Sequence, residues 1–76
     1  MKPYHNPASG IDGYDYGDDW LHVRFKGGKI YEYRSPLVAS HHLEKLKQLA
    51  DSQDDLNTYI NQHRDVYAAG TILPQR

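Results

Sequence analysis

The stretch from Leu21 to Pro36, LHVRFKGGKIYEYRSP, constrains the fold more than any other part of the chain. Leu21, Val23 and Phe25 alternate with His22, Arg24 and Lys26, the period-2 pattern of a strand with one buried face. Gly27-Gly28 interrupts the pattern, and Tyr31 and Tyr33 resume it around Glu32. For Leu21, Val23, Phe25, Tyr31 and Tyr33 to share a face, the loop must hold an odd number of residues, because a one-residue slip turns every side chain over. A three-residue loop with Gly28 in the left-handed conformation meets that condition, whereas a two-residue turn would put both tyrosines outside. Register, face and turn length of an antiparallel hairpin follow together.

The flanking sequence supplies the other elements. Residues 1–9, with Pro3 and Pro7, read as a flexible, extended arm. Gly10 to Tyr14 reads as a first strand built on Ile11 and Tyr14, and Tyr16-Gly17-Asp18-Asp19 as a turn. Ser35 and Pro36 suit the N-cap and first position of a helix with a stripe at Ala39, His42 or Leu43, Leu46, and Leu49 with Ala50. Ser52 with Asp55 resembles a capping box for a second helix carrying Leu56, Tyr59, Ile60, His63 and Tyr67. Ala69-Gly70 reads as its end, and residues 71–76 as a tail. The expected class is α+β: a three-stranded antiparallel meander over residues 10–34, then two helices packed on one face, forming a single domain over residues 10–70.

Composition narrows the function classes. A chain of 76 residues has room for one small core. With no cysteine there is no disulfide framework, thiolate metal site or thiol nucleophile. No apolar run reaches the ~20 residues of a membrane span, so a cytoplasmic protein with no membrane partner is expected. Nine Lys/Arg against ten Asp/Glu supply no global basic field. The five histidines form no HxxxH or HxxH pair, and His41-His42 point about 100° apart on a helix, so no metal or other cofactor is expected. No serine sits in a nucleophile elbow, Gly27-Gly28 lacks the features of a phosphate loop, and a domain this small seldom encloses a dry reaction site. A catalytic role is therefore not expected.

Two helices can cover only one side of three strands. The other side is expected to show Trp20, His22, Arg24, Lys26 and Arg34, a cationic surface carrying the only tryptophan. Aromatic and guanidinium groups on an open sheet can stack bases and contact phosphates of single-stranded RNA. They can equally form a solvated face on which Arg24 or His22 pairs across to Glu32. A protein partner anchored on Trp20 and the sheet edge is the alternative function. A nucleotide-sized small molecule would require a pocket at a dimer seam. Tyr31 and Tyr33 are expected in the core with hydroxyls at its edge, and Asn57 at the core edge, bonded near Ser35 or contacting a ligand.

The pattern L-x-V-x-F-x-x-G-x-x-Y-x-Y, followed by a proline, a helix, A-x-S and L-N-x-x-I, resembles the KTSC domain. That family is named for the C-terminus of some lysyl-tRNA synthetases, and it includes short single-domain bacterial and phage proteins. The positions that carry the resemblance are Ile11, Tyr14-Asp15, Leu21, Val23, Phe25, Gly28, Tyr31, Tyr33, Pro36, Ala50, Ser52, Leu56-Asn57 and Ile60, spanning Ser9 to Ile60. The chain departs from the family at Asp54, where glycine is usual, and the run to Leu56-Asn57 is one residue shorter. What the resemblance implies is narrow: structural roles for Phe25, Gly28, Tyr31, Tyr33, Pro36, Ser52 and Asn57, and RNA as the suggested ligand.

Overall fold

The hairpin forms in the register that parity requires. In the computed structural model, which describes residues 2–5 and 10–74, strand β3 (Trp20–Phe25) pairs antiparallel with β4 (Ile30–Arg34), placing Val23 opposite Tyr31 and Leu21 opposite Tyr33. The Phe25 and Lys29 backbones bond at 2.8 Å, enclosing the three-residue loop Lys26-Gly27-Gly28. Both glycines have positive φ, 106° at Gly27 and 100° at Gly28, where a side chain would be strained. Leu21, Val23 and Tyr33 are buried, and Phe25 and Tyr31 pack edge-to-face at 5.3 Å on the margin of the same core.

The sheet is wider than three strands. It runs β1 (Lys2–Pro3), β2 (Ile11–Tyr16), β3, β4 and β5 (Thr71–Ile72) in that spatial order, every neighbouring pair antiparallel. The segment expected as an arm thus supplies an edge strand and places Tyr4 in the core. The expected tail supplies the opposite edge. Pro7, Ser9 and residues 75–76, to which arm, family span and tail were also assigned, lie outside the described residues.

Ile11 and Tyr14 have opposite parity in sequence yet share the core face. A β-bulge reconciles them: Ile11 pairs with Phe25 and Gly13 with Arg24, leaving Asp12 as the extra residue. Beyond the bulge, Tyr14 and Tyr16 fall opposite Val23 and Leu21.

Helices α1 (Ser40–Asp51), α2 (Leu56–Gln62) and α3 (Arg64–Ala69) cover the core face. Three local expectations are corrected. Ser35-Pro36 does not open a helix: its peptide is cis, Val38 N–H bonds the Arg34 carbonyl at 2.9 Å, and Val38 turns into the core. The helix starts only after that residue is buried, with Ala39 as an N-cap that has no side-chain acceptor. Ser52 is not an N-cap either; it closes α1, while Asp55 caps α2 by accepting from Thr58 N–H at 3.0 Å. Between them Gln53 adopts φ 60°, and bonds from Gln53 N to Ala50 O and Asp54 N to Leu49 O complete a Schellman turn. Finally, the second helix breaks at His63 (φ −114°, ψ 93°), and the change of phase buries Val66 while turning Tyr67 outward.

The core joins Leu43, Leu46 and Ala50 of α1 and Leu56, Ile60 and Val66 of α2–α3 to Tyr4, Ile11, Tyr14, Leu21, Val23 and Tyr33 of the sheet side. No helix among the described residues is long and apolar enough to cross a membrane.

Candidate functional site

The open face holds four of the five residues expected there as strand positions, and Lys26 lies in the hairpin loop. Its cations are engaged. Arg24 Nε donates to Asp12 Oδ1 at 2.7 Å, a partner that the bulge delivers. His22 Nε2 meets Glu32 Oε2 at 2.9 Å, across the pair that the register makes opposite. Arg34 contacts Glu32 at 3.3 Å and Asp19 at 3.6 Å. The His22 hydrogen bond, followed by those from Arg34, holds the Glu32 carboxyl below the usual carboxylate range. The Trp20 ring lies tilted against His22, centroids 4.5 Å apart, and covers Gly17 so closely that a Cβ there would meet the indole nitrogen at 2.3 Å. The face therefore carries two separate paired groups, Arg24 with Asp12 and Arg34 with Glu32 and Asp19, beside a half-buried indole. Of its candidate basic side chains, Lys26 has no ion pair or hydrogen bond among the described residues.

The opposite situation prevails at the hairpin tip. A cavity of about 700 Å³ lies between the hairpin and α2–α3. Its apolar floor is Phe25, Ile60 and Gly70, and its polar lining is Lys26, Lys29, Tyr31, Tyr33, Asn57, Asn61 and Tyr67. None of these seven polar side chains makes a hydrogen bond or ion pair within the described residues. Sites for small ligands usually span ~300–1,000 Å³, and this cavity falls within that range with a lining richer in polar side chains than most. Burial pushes the Tyr33 phenol up to about 12, with the Tyr31 and Tyr67 phenols contributing, so it stands as a neutral donor. Gly70 makes room for that ring: a Cβ there would meet it at 2.7 Å.

The family-pattern residues Phe25, Tyr31, Tyr33, Asn57 and Ile60 all converge on this cavity. Asn57 makes no hydrogen bond to Ser35 among the described residues and lines the cavity instead. The sequence signal for this site was present in the YxY and L-N-x-x-I patterns. What concealed it was the role of α3, whose change of phase at His63 brings Tyr67 and Gly70 to the rim.

Two further clusters join the helices to the sheet. Asp51 accepts from Tyr14 at 2.7 Å and from Tyr16 at 2.6 Å, with Lys2 at 3.9 Å; the tyrosine bonds hold its carboxyl low. Tyr4 Oη donates to the Asp54 carbonyl and accepts from Leu56 N–H at 3.0 Å, tying β1 to the α1–α2 turn. His42, separated in sequence from any histidine but His41, meets His63 across the helices with ring centroids 4.9 Å apart. It bonds Tyr59 Oη at 2.8 Å and Asp65 at 3.2 Å. Among the described residues no group of three or more His, Asp or Glu is arranged to hold a metal ion.

Comparison of the chain with protein-family models, with curated proteins and with solved structures returns no match.

Proposed function

We propose that the protein is a small non-catalytic binding module that takes single-stranded RNA at the cavity between the β3–β4 hairpin and α2–α3. One observation carries this reading: seven polar side chains surround the cavity without a partner among the described residues, while every cation of the β3–β4 strands is paired. Side chains already committed to each other must break those bonds to bind, whereas the cavity lining gives up only water. The lining chemistry suits an RNA nucleotide. Tyrosine and phenylalanine rings offer stacking surfaces, two amides can match donors and acceptors on a base edge, and Lys26 and Lys29 can meet phosphate. Five of the KTSC-like positions, Phe25, Tyr31, Tyr33, Asn57 and Ile60, line the same cavity, which supports the RNA reading over that of an inert core edge.

A protein partner on the open face is the second reading, favoured by the neutralisation of that face around Trp20. Desolvating a paired, charge-balanced surface suits a protein interface better than a phosphate backbone.

Fluorescence anisotropy with mixed-sequence single-stranded RNA at about 150 mM salt separates the two. Under the first reading Lys26→Glu and Lys29→Glu each weaken binding and flatten its salt dependence by about one counterion, and Trp20→Ala changes little. If Trp20→Ala abolishes binding and the lysine variants do not, the open face is the site. If no RNA binds at tens of micromolar protein, the RNA reading is wrong.

A further inference from the structure

Beside the main cavity lies a smaller cleft of about 230 Å³ lined by Asn61, Arg64 and Tyr67. Two of those residues, Asn61 and Tyr67, also line the main cavity, so the two spaces share a wall. Arg64 makes no hydrogen bond or ion pair within the described residues. Lys26, Lys29, Lys45 and Arg64 are the Lys and Arg in this condition among the described residues, and all but Lys45 stand around these two spaces. The grouping is specific to this corner of a chain that carries one net negative charge.

We propose that cavity and cleft form one two-part nucleotide site, the larger space taking a single base with its ribose and the smaller one its phosphate on Arg64. The inference rests on the RNA reading of the cavity and adds the unit recognised: one nucleotide, with the phosphate held from the α3 side. A guanidinium presents a planar fork that can grip two phosphate oxygens at once, which an ammonium cannot do. Tyr67, exposed and lining both spaces, stands where the link between base and phosphate must pass, and Asn61 beside it can bond the ribose or the phosphate ester. The base would lie against Tyr31 and Phe25 with the Asn57 amide towards its edge. Nothing in this assignment requires a bond to break or form.

The test uses four nucleosides and their 5′-monophosphates, inorganic phosphate, and a short single-stranded RNA, titrated into the whole protein and followed by backbone and side-chain amide NMR. Shifts are expected at the Asn57 and Asn61 side-chain amides, and a monophosphate should bind at least about tenfold tighter than its nucleoside. Arg64→Gln should collapse that ratio towards one, Arg64→Lys should restore part of it, and Lys45→Gln should leave it as in the parent. Equal affinity for nucleoside and monophosphate in the parent overturns the two-part site, as does a ratio that survives Arg64→Gln. Lack of any response to nucleosides and monophosphates overturns it as well. Monophosphate binding with the expected ratio and no RNA binding keeps the site but rejects a strand as its occupant. RNA binding that is indifferent to Arg64→Gln keeps the RNA reading and rejects the phosphate subsite.

Discussion

Two glycines carry the same steric conflict and should respond oppositely. A Cβ at Gly17 would strike the Trp20 indole, and a Cβ at Gly70 would strike the Tyr33 ring. Trp20 is only half-buried on the open face, so Gly17→Ala should swing the indole outward at little cost, seen as a red shift in the emission of the single tryptophan. Tyr33 is 3% exposed and enclosed by the core, so its ring has nowhere to go but the cavity. Gly70→Ala should cost about 1–3 kcal/mol, as overpacking does. It should also impair whatever binds between the hairpin and α2–α3. A Gly70→Ala protein with unchanged melting temperature and unchanged ligand affinity would contradict this placement of Tyr33. Phe25 illustrates how burial scales such costs: it sits on the core margin beside Tyr31, so its truncation should be milder than Leu21→Ala, for which about 2–5 kcal/mol is expected at a fully buried site.

Among the elements, α1 has an evident weakness at its start. Ala39 occupies the N-cap with extended backbone (φ −58°, ψ 143°) but cannot accept a hydrogen bond through its side chain. Ala39→Ser or Ala39→Asp should supply the missing acceptor and add about 0.5–2 kcal/mol. Thermal melts should rise by about 4–8 °C per kcal/mol gained in a domain of this size; an unchanged or lower midpoint would mean that the first turn is held in another way. The central hairpin was readable because alternation and loop parity are local and rigid rules, and Leu21, Val23, Tyr31 and Tyr33 obey them. Ile11 and Tyr14 broke the alternation, and only the bulge at Asp12 explains how both reach the core. The helix start was misread because Ser35-Pro36 has the residue types of a cap, while burial of Val38 dictates the path of the chain there. The two edge strands left no pattern at all, since two-residue strands owe their existence to the neighbours they pair with. Likewise, Trp20, His22, Arg24 and Arg34 follow strand alternation while Lys26 falls in the loop, and the ion pairs of Arg24 and Arg34 to Asp12 and Asp19 depend on a bulge and a turn that alternation does not encode.

For the molecule as a whole, buried phenols set an alkaline limit. Tyr14 is raised to about 12 by burial first and then by Asp51, and Tyr33 to about 12 by burial first. Tyrosine in the unfolded chain titrates near ~10. A group whose proton is held more tightly in the fold contributes stability in full below the unfolded value and loses it as pH rises towards the folded value. Stability should therefore fall between about pH 10 and 12, and absorbance at alkaline pH should show a late phenolate fraction that Tyr14→Phe and Tyr33→Phe each reduce. Ionisation of all tyrosines in one step near 10 with the fold intact would refute it. The break at His63 has a further consequence, in the time domain. It leaves one wall of the cavity as helices of seven and six residues, anchored by Leu56 and Ile60 in one and Val66 in the other. Helices so short do not persist by themselves, where ~12–15 residues are already marginal. Their amides should exchange with solvent deuterium through small local openings, well ahead of those in β3 and the middle of α1. A bound molecule would have to close those openings, so protection confined to residues 56–69 would register occupancy even where the resting structure hardly changes.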